Sequence, residues 1–305
     1  MKQRSIRVRL IAFGAVAMLG LAACGGTDDT ADDETGEELE EEFGEETVSG
    51  IGNECTAGKT LTEGTLTIAT GNPAFEPWVV GDAPESKEGF EAAVAYGLAA
   101  EMGFADENIV WVRTSFDEAI QPGAKNFDFN LQQYSITEER KATVSFSDPY
   151  YSTNQALVAF ADSPVASATS VSELKGLKFG AQAGTTSLEF ITNVIQPTAA
   201  AFAYDDNAGA KAALEAKQID AIVVDLPTAL YISAVEIEGS KVVGQFPPSE
   251  VAPGDDFGMV FDLNNPLVEC VNVALSRMRD LTYELMSIEE TWLSNYTGAP
   301  VINLD

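Results

Sequence analysis

The sequence predicts an α/β fold, with largely parallel sheets divided between two lobes, on three observations. Beyond residue 55, strand-like and helix-like stretches alternate, the pattern of repeated β-then-α units. Residues 53–305 amount to 253 residues, enough for two lobes of ordinary size. A Gly/Pro/acid stretch at 247–254 (PPSEVAPG) punctuates that length as a connection between lobes would.

The chain starts with a leader. Lys2, Arg4, Arg7 and Arg9 precede an uncharged apolar run of 14 residues, 10–23 (LIAFGAVAMLGLAA). A spanning helix needs about 20 apolar residues, so a basic start, a short apolar run and small residues read as an export signal over residues 1–23. The run ends Leu21-Ala22-Ala23-Cys24-Gly25-Gly26, which resembles the bacterial lipobox. That resemblance implies a diacylglyceryl thioether on Cys24 and cleavage in front of it. Residues 24–54 form an acidic tether: the segment 27–47 holds twelve carboxylates, no cation and almost no large apolar residue, so it repels itself and cannot bury a core.

The elements beyond the tether follow from periodicity. TLTIAT (65–70) reads as a strand. Phe90, Val94 and Leu98 stand at helical spacing within 90–102, and IVWV (109–112) is again a strand. A helix is expected at 116–121 and strands at 127–131, 155–160 and 177–181, the last leading into a helix from Thr186. Then come a helix at 208–217, strands at 219–224 and 257–261, and helices at 267–279 and 281–293.

Composition removes several function classes. With 48 acidic against 17 basic side chains, the chain carries a formal charge of −31, which repels the phosphate backbone that supplies most nucleic-acid affinity. There is no His, so the commonest general base and metal ligand is missing, and the three cysteines lack the C-x-x-C clustering of a zinc or iron–sulfur site. No cofactor and no metal are expected.

A family resemblance rests on four stretches in order. FDFNLQQYSITEERKATVSFSDPYY (127–151) is similar to the signature of the family 3 extracellular solute-binding proteins, the polar amino-acid receptors of ABC importers, with its S-x-T-x-x-R and F-S-x-P-Y. GAQAGTT (180–186), DAIVVD (220–225) and the terminal FGMVFDLNNPL…TWL continue it. The resemblance implies a periplasmic-binding-protein-like fold: lobe 1 in two pieces, 55–153 and 255–305, lobe 2 at 154–254, and a two-segment hinge between them. One amino acid is expected to sit between the lobes, where open α/β sheets generally bind ligands. It further implies permease subunits as partners, a monomer, and a location on the outer face of the cytoplasmic membrane through the anchor at Cys24.

An α-amino acid offers a carboxylate and an ammonium, and burying both calls for charged, hydrogen-bonding partners. Arg140 is the candidate for the carboxylate, since guanidinium grips carboxylate through two parallel bonds. Arg113, Arg277 and Arg279 suit solvated roles better. Backbone N–H groups at Ser135 and Thr186, beside Thr185, supply further donors, although Thr186-Ser187-Leu188-Glu189 also fits a capping box. Asp225 is the candidate for the ammonium, with an N-cap role as its alternative. Phe75 and Phe116 match the family's aromatics that sandwich the ligand side chain, or belong to the core. Asn72 and Gln133 suggest a polar side chain. Gln132, Gln133 and Tyr134 depart from the small residues usual in relatives, and Glu91 replaces the usual Asp after Gly-Phe.

With Cys24 taken by lipid, Cys55 and Cys270 remain in an oxidising compartment, both in lobe 1, and are expected to form a disulfide. The rival readings are a dehydratase-like enzyme acting on a small carboxylate with the same fold, and a surface sensor or interaction lipoprotein. The leader carries its own prediction: mass spectrometry of the membrane fraction finds a diacylglyceryl mass on a peptide beginning at Cys24, and an unmodified chain recovered from the medium contradicts it.

Overall fold

Two five-stranded sheets organise the chain, and each is mixed where largely parallel sheets were expected. The computed structural model describes residues 50–250, 252–294 and 298–304. The leader, Cys24 and the tether up to residue 49 lie outside them. Among the described residues no helix is long and apolar enough to cross a membrane.

In chain order the elements begin with β1 (Leu66–Gly71), α1 (Phe90–Glu101), β2 (Ile109–Thr114), α2 (Phe116–Ile120), β3 (Phe129–Asn130), α3 (Glu138–Lys141) and β4 (Ser145–Phe146). After β5 (Tyr151–Thr153) come β6 (Gln155–Phe160), β7 (Phe179–Gln182), α4 (Thr186–Phe190), β8 (Phe202–Tyr204), α5 (Asn207–Glu215), β9 (Ala221–Asp225), α6 (Leu226–Tyr231) and β10 (Ser240–Phe246). The chain then returns through β11 (Asp255–Phe257), β12 (Val260–Phe261), α7 (Leu267–Asp280) and α8 (Glu284–Trp292).

Lobe 1 has strand order β2-β1-β3-β12-β4 and lobe 2 has β10-β6-β9-β7-β8. In lobe 1, β1 runs parallel to β2 and β3, while β12 returns from the other lobe and pairs antiparallel. Lobe 2 repeats the arrangement, with β7 parallel to β8 and β9, and β6 and β10 antiparallel. The strands that run against their neighbours lie next to the crossings in sequence: β6 follows one, and β12 follows the other.

The strand expected at 257–261 is in fact two. Residues 255–257 pair with β5 as a separate two-stranded ribbon between the lobes, and 260–261 join lobe 1. Gly258 separates them, at a point where a Cβ would lie 2.9 Å from the Ile136 side chain. The strand β10 was not anticipated, because a register shift between Val242 and Gly244 interrupts its alternation.

Lobe 1 is built on α1. Phe90, Val94 and Leu98 are fully buried as their spacing implied, and the small residues between them let neighbouring helices approach. At Gly97 a Cβ would come within 2.8 Å of Met278 on α7, so only glycine fits without a shift. Trp78 is fully buried beside the ribbon, with ring centroids 5.9 Å from Phe90, 5.7 Å from Tyr151 and 5.6 Å from Phe257. It anchors the loop that follows β1.

The tail corrects the expected domain map. Residues assigned to lobe 1 up to 305 instead end along lobe 2: the Gln245 N–H donates to the Pro300 carbonyl at 2.7 Å, the Ile302 N–H donates back to Gln245 at 2.9 Å, and Ile302 is fully buried in the lobe 2 core. Gly244 makes room for it, since a Cβ there would lie 2.7 Å from the Ile302 side chain.

Cys55 and Cys270 form a disulfide, closing a separation of 215 residues within lobe 1. A crosslink over so long a loop restricts the unfolded chain, and native bridges of this kind contribute about 2–5 kcal/mol. Reduction is therefore expected to lower the thermal midpoint, as followed by circular dichroism with and without dithiothreitol; an unchanged midpoint on full reduction contradicts the bridge's role.

Candidate functional site

A cleft between the lobes, about 590 Å³ including its mouth, is lined from both sides. Lobe 1 contributes Thr70, Phe75, Phe116, Gln132, Gln133, Ser135 and Arg140. Lobe 2 contributes Gln182, Thr185, Thr186, Asn207 and Asp225. Eight of the nine residues expected at a ligand site therefore meet in one place. The exception is Asn72, which is exposed and outside the lining, because the chain turns there so that Pro73 and Ala74 face inward instead.

Arg140 arrives on the short helix α3, whose N-cap Thr137 accepts from the Arg140 N–H at 3.2 Å. The residue is 7% exposed, and its guanidinium donates to the Ser135 carbonyl at 2.6 Å and to the Gly184 carbonyl at 2.9 Å and lies 5.4 Å from the centroid of the Phe116 ring. Burial pulls its pKa down, opposed by Glu189 and other acids nearby. Guanidinium carries five N–H donors, so two bonds to carbonyls leave three for a ligand.

Asp225 ends β9. Its side chain makes no capping bond to α6, so the N-cap alternative leaves its carboxylate unused. Burial first, and then the negative charge of Asp255, push its pKa well above the carboxylate range. Asp225 and Arg140 form no ion pair with one another. Gln155 links the base of the cleft: its Nε2 donates to Asp255 at 2.8 Å and lies 3.4 Å from Asp225, while its Oε1 accepts from the Ser187 hydroxyl at 2.7 Å.

The helix is capped one residue earlier than the expected capping box, and no capping box forms because Leu188 stands at the third helical position. Thr185, not Thr186, is the N-cap, accepting from the Leu188 N–H at 3.2 Å. This frees the Thr186 hydroxyl, which lies 3.1 Å from the Ser135 hydroxyl across the cleft. Other contacts also cross between lobes. The Trp78 indole donates to Thr228 at 2.8 Å, the Tyr231 hydroxyl donates to Glu76, and Lys211 stands 5.1 Å from the Phe75 ring centroid. Phe116 serves both of its alternatives, since it lines the cleft and stacks on Tyr134 at 4.5 Å within a buried cluster. Arg113 is more than a solvated charge: it donates to the Gly71 carbonyl at 2.7 Å and pairs with Asp82.

Glu91, noted in the sequence as a departure, is 1% exposed and holds Gln133 from behind. Its carboxyl accepts from the Gln133 backbone N–H at 2.7 Å, from the Gln133 side-chain amide and from the Tyr150 hydroxyl. Gln133 has φ 50°, left-handed backbone that costs a non-glycine residue about 1–2 kcal/mol, and the Glu91 clamp holds it there. Burial raises the Glu91 pKa from 4.5 to about 7 despite these bonds. A carboxyl whose folded pKa exceeds its unfolded value binds more protons when folded, so stability falls as pH rises from about 4.5 through 7. Glu91→Gln removes this term. Relative to wild type, the variant is expected to gain up to about 3 kcal/mol between pH 4.5 and 8 in denaturant unfolding, and a pH-independent difference contradicts the assignment.

Sequence reasoning did not select Thr70, Gln182 or Asn207, which line the cleft from both lobes. Gln182 stood inside the GAQAGTT stretch, but nothing in its spacing showed which way the side chain points.

Known proteins share this architecture. A putative ABC transporter arginine-binding protein 2 of Escherichia coli (strain K12) is 30% identical over 78% of this chain and 93% of its own length. A probable histidine-binding protein of Campylobacter jejuni is 30% identical over 70% of this chain and 80% of its own. The solved structure of an ancestral arginine-binding protein bound to glutamine superposes with a TM-score of 0.63 at 30% identity, covering 76% of this chain and 98% of that one. The bacterial extracellular solute-binding proteins, family 3, match residues 66–295, and this chain belongs to that family.

Proposed function

We propose that this protein is the substrate-binding component of an ABC importer, tethered by lipid at Cys24 outside the cytoplasmic membrane, and that its lobes close on one polar amino acid. The observation that carries the reading is a buried Arg140 and a half-buried Asp225 lining one cleft from facing lobes without pairing to each other. An α-amino acid presents the matching pair of charges. Arg140 takes the carboxylate, helped by the N–H groups of Ser135 and Thr186, and Asp225 takes the ammonium, while Phe75 and Phe116 flank the side chain. Arginine and histidine, for which two relatives are named, both carry that α-carboxylate and α-ammonium. Closure about the β5–β11 ribbon follows from the division of these groups between lobes, because only the closed arrangement lets both ends of the ligand be held together.

The enzyme reading gains less support. Among the described lining residues the one carboxylate is Asp225, and a general acid or base serving a reaction would compete with its role as ammonium partner.

The test is calorimetry with a panel of L-amino acids. Removing one member of a buried charge match costs about 2–5 kcal/mol, roughly 30- to several-thousand-fold in affinity. Arg140→Ala and Asp225→Asn are expected to lose that much for the amino acid that binds wild type. Arg140→Lys is expected to fail as well, since a point charge cannot reproduce the planar fork. Lys141→Ala, which removes an exposed neighbouring cation, serves as control. Folded Arg140→Ala or Asp225→Asn that binds within threefold of wild type overturns the assignment.

A further inference from the structure

Once Arg140 and Asp225 are assigned to the carboxylate and ammonium, the rest of the lining carries no charge among the described residues. It is rich in amides and hydroxyls: Thr70, Gln132, Gln133, Gln182 and Asn207. Two of these stand out by their burial. Gln182, at the end of β7, is 7% exposed and Thr70, at the end of β1, is 2% exposed. The Gln182 amide and the Thr70 hydroxyl line the cleft, and neither makes a side-chain hydrogen bond to a described residue. They come from different lobes, so they face the ligand from opposite walls.

We propose that this lining selects an amino acid with an uncharged, hydrogen-bonding side chain, a carboxamide best of all, and that Gln182 is the residue that reads it. The proposal rests on the reading of the cleft as an amino-acid site. A basic side chain would bring a second cation where the lining's one acid already holds the ammonium, and an acidic one would bring a second anion where the one cation already holds the carboxylate. An aliphatic side chain would seal the Gln182 amide and the Thr70 hydroxyl against hydrocarbon with their hydrogen bonds unmade. A carboxamide donates and accepts at once, which matches the Gln182 amide. Gln133 narrows the choice further. Its amide nitrogen is held by Glu91, which leaves Oε1 as an acceptor for a ligand N–H. Glu91 is thus a positioning residue for Gln133.

The experiment is calorimetry on the refolded protein with L-glutamine, L-asparagine, L-arginine, L-glutamate and L-leucine, for wild type, Gln182→Leu and Thr70→Val. Glutamine or asparagine is expected to bind at least about tenfold tighter than the other three. Gln182→Leu, close in size, is expected to cut the preference for the carboxamide over leucine at least about tenfold, a ratio that a general loss of packing would leave alone. Thr70→Val, with the same shape, gives the second reading and is expected to weaken carboxamide binding by about threefold or more. Arginine, glutamate or leucine binding as tightly as glutamine overturns the proposal, and so do both variants holding the wild-type preference within threefold. If arginine binds tightly and Arg140→Ala abolishes it, this inference falls while the amino-acid site stands. If none of the five binds, this inference falls, and binding of another amino acid in the wider panel leaves the amino-acid site standing.

Discussion

A buried guanidinium and a half-buried carboxyl face one cleft from different lobes and do not reach each other, and much of the structure serves to keep them so. Burying a guanidinium or a carboxylate alone is costly, so each is supported by neutral partners. Arg140 leans on two backbone carbonyls and the face of Phe116, and Asp225 sits near the amide of Gln155. The direction of both pKa displacements, each toward the neutral form, reports that these supports leave part of the burial cost standing. The fold sets the separation. Arg140 stands on a helix that follows a central strand of lobe 1, and Asp225 ends a central strand of lobe 2. Neither can move toward the other without moving its lobe.

The sheets explain how so many lining residues converge. Thr70 and Gln182 lie at strand ends, Asp225 ends a third strand, and Phe116 and Thr186 open the helices after two more turns. The strand ends of each lobe point into the gap between them, which is where open α/β sheets bind ligands. The aromatic cluster around Trp78 fixes the loop that carries Phe75 against the ribbon joining the lobes, so a wall of the site is packed directly onto that ribbon.

Much of this was legible in the sequence for identifiable reasons. The helix α1 announced itself through Phe90, Val94 and Leu98, and the Arg and Asp of the site through the S-x-T-x-x-R stretch that ends in Arg140 and the strand-then-acid pattern at Asp225. Local pattern could not reach features settled by tertiary contact. The strand β10 is broken by a register shift, and the tail's place on lobe 2 depends on space made by Gly244, far away in sequence. The same holds for Asn72, a polar residue beside the site in sequence that points outward, and for Gln182, buried at the mouth of a strand among small residues. Burial of a single polar side chain is decided by what packs around it, and periodicity does not encode that.

Gln155 shows how a neutral group makes the site possible. It is the first residue of β6, directly after one crossing between lobes, and its strongest partner, Asp255, begins the other crossing. Two carboxylates as close as Asp225 and Asp255 repel, and a lysine or arginine placed between them would satisfy both and leave no demand for a ligand cation. An amide instead offers two N–H donors without charge, so it relieves the acids by hydrogen bonding while leaving their negative potential in the cleft. Its oxygen, held by Ser187 at the start of the α4 helix, fixes which end of the amide faces the acids. The spacing of the two acids and the link between the two crossings thus depend on the same uncharged side chain.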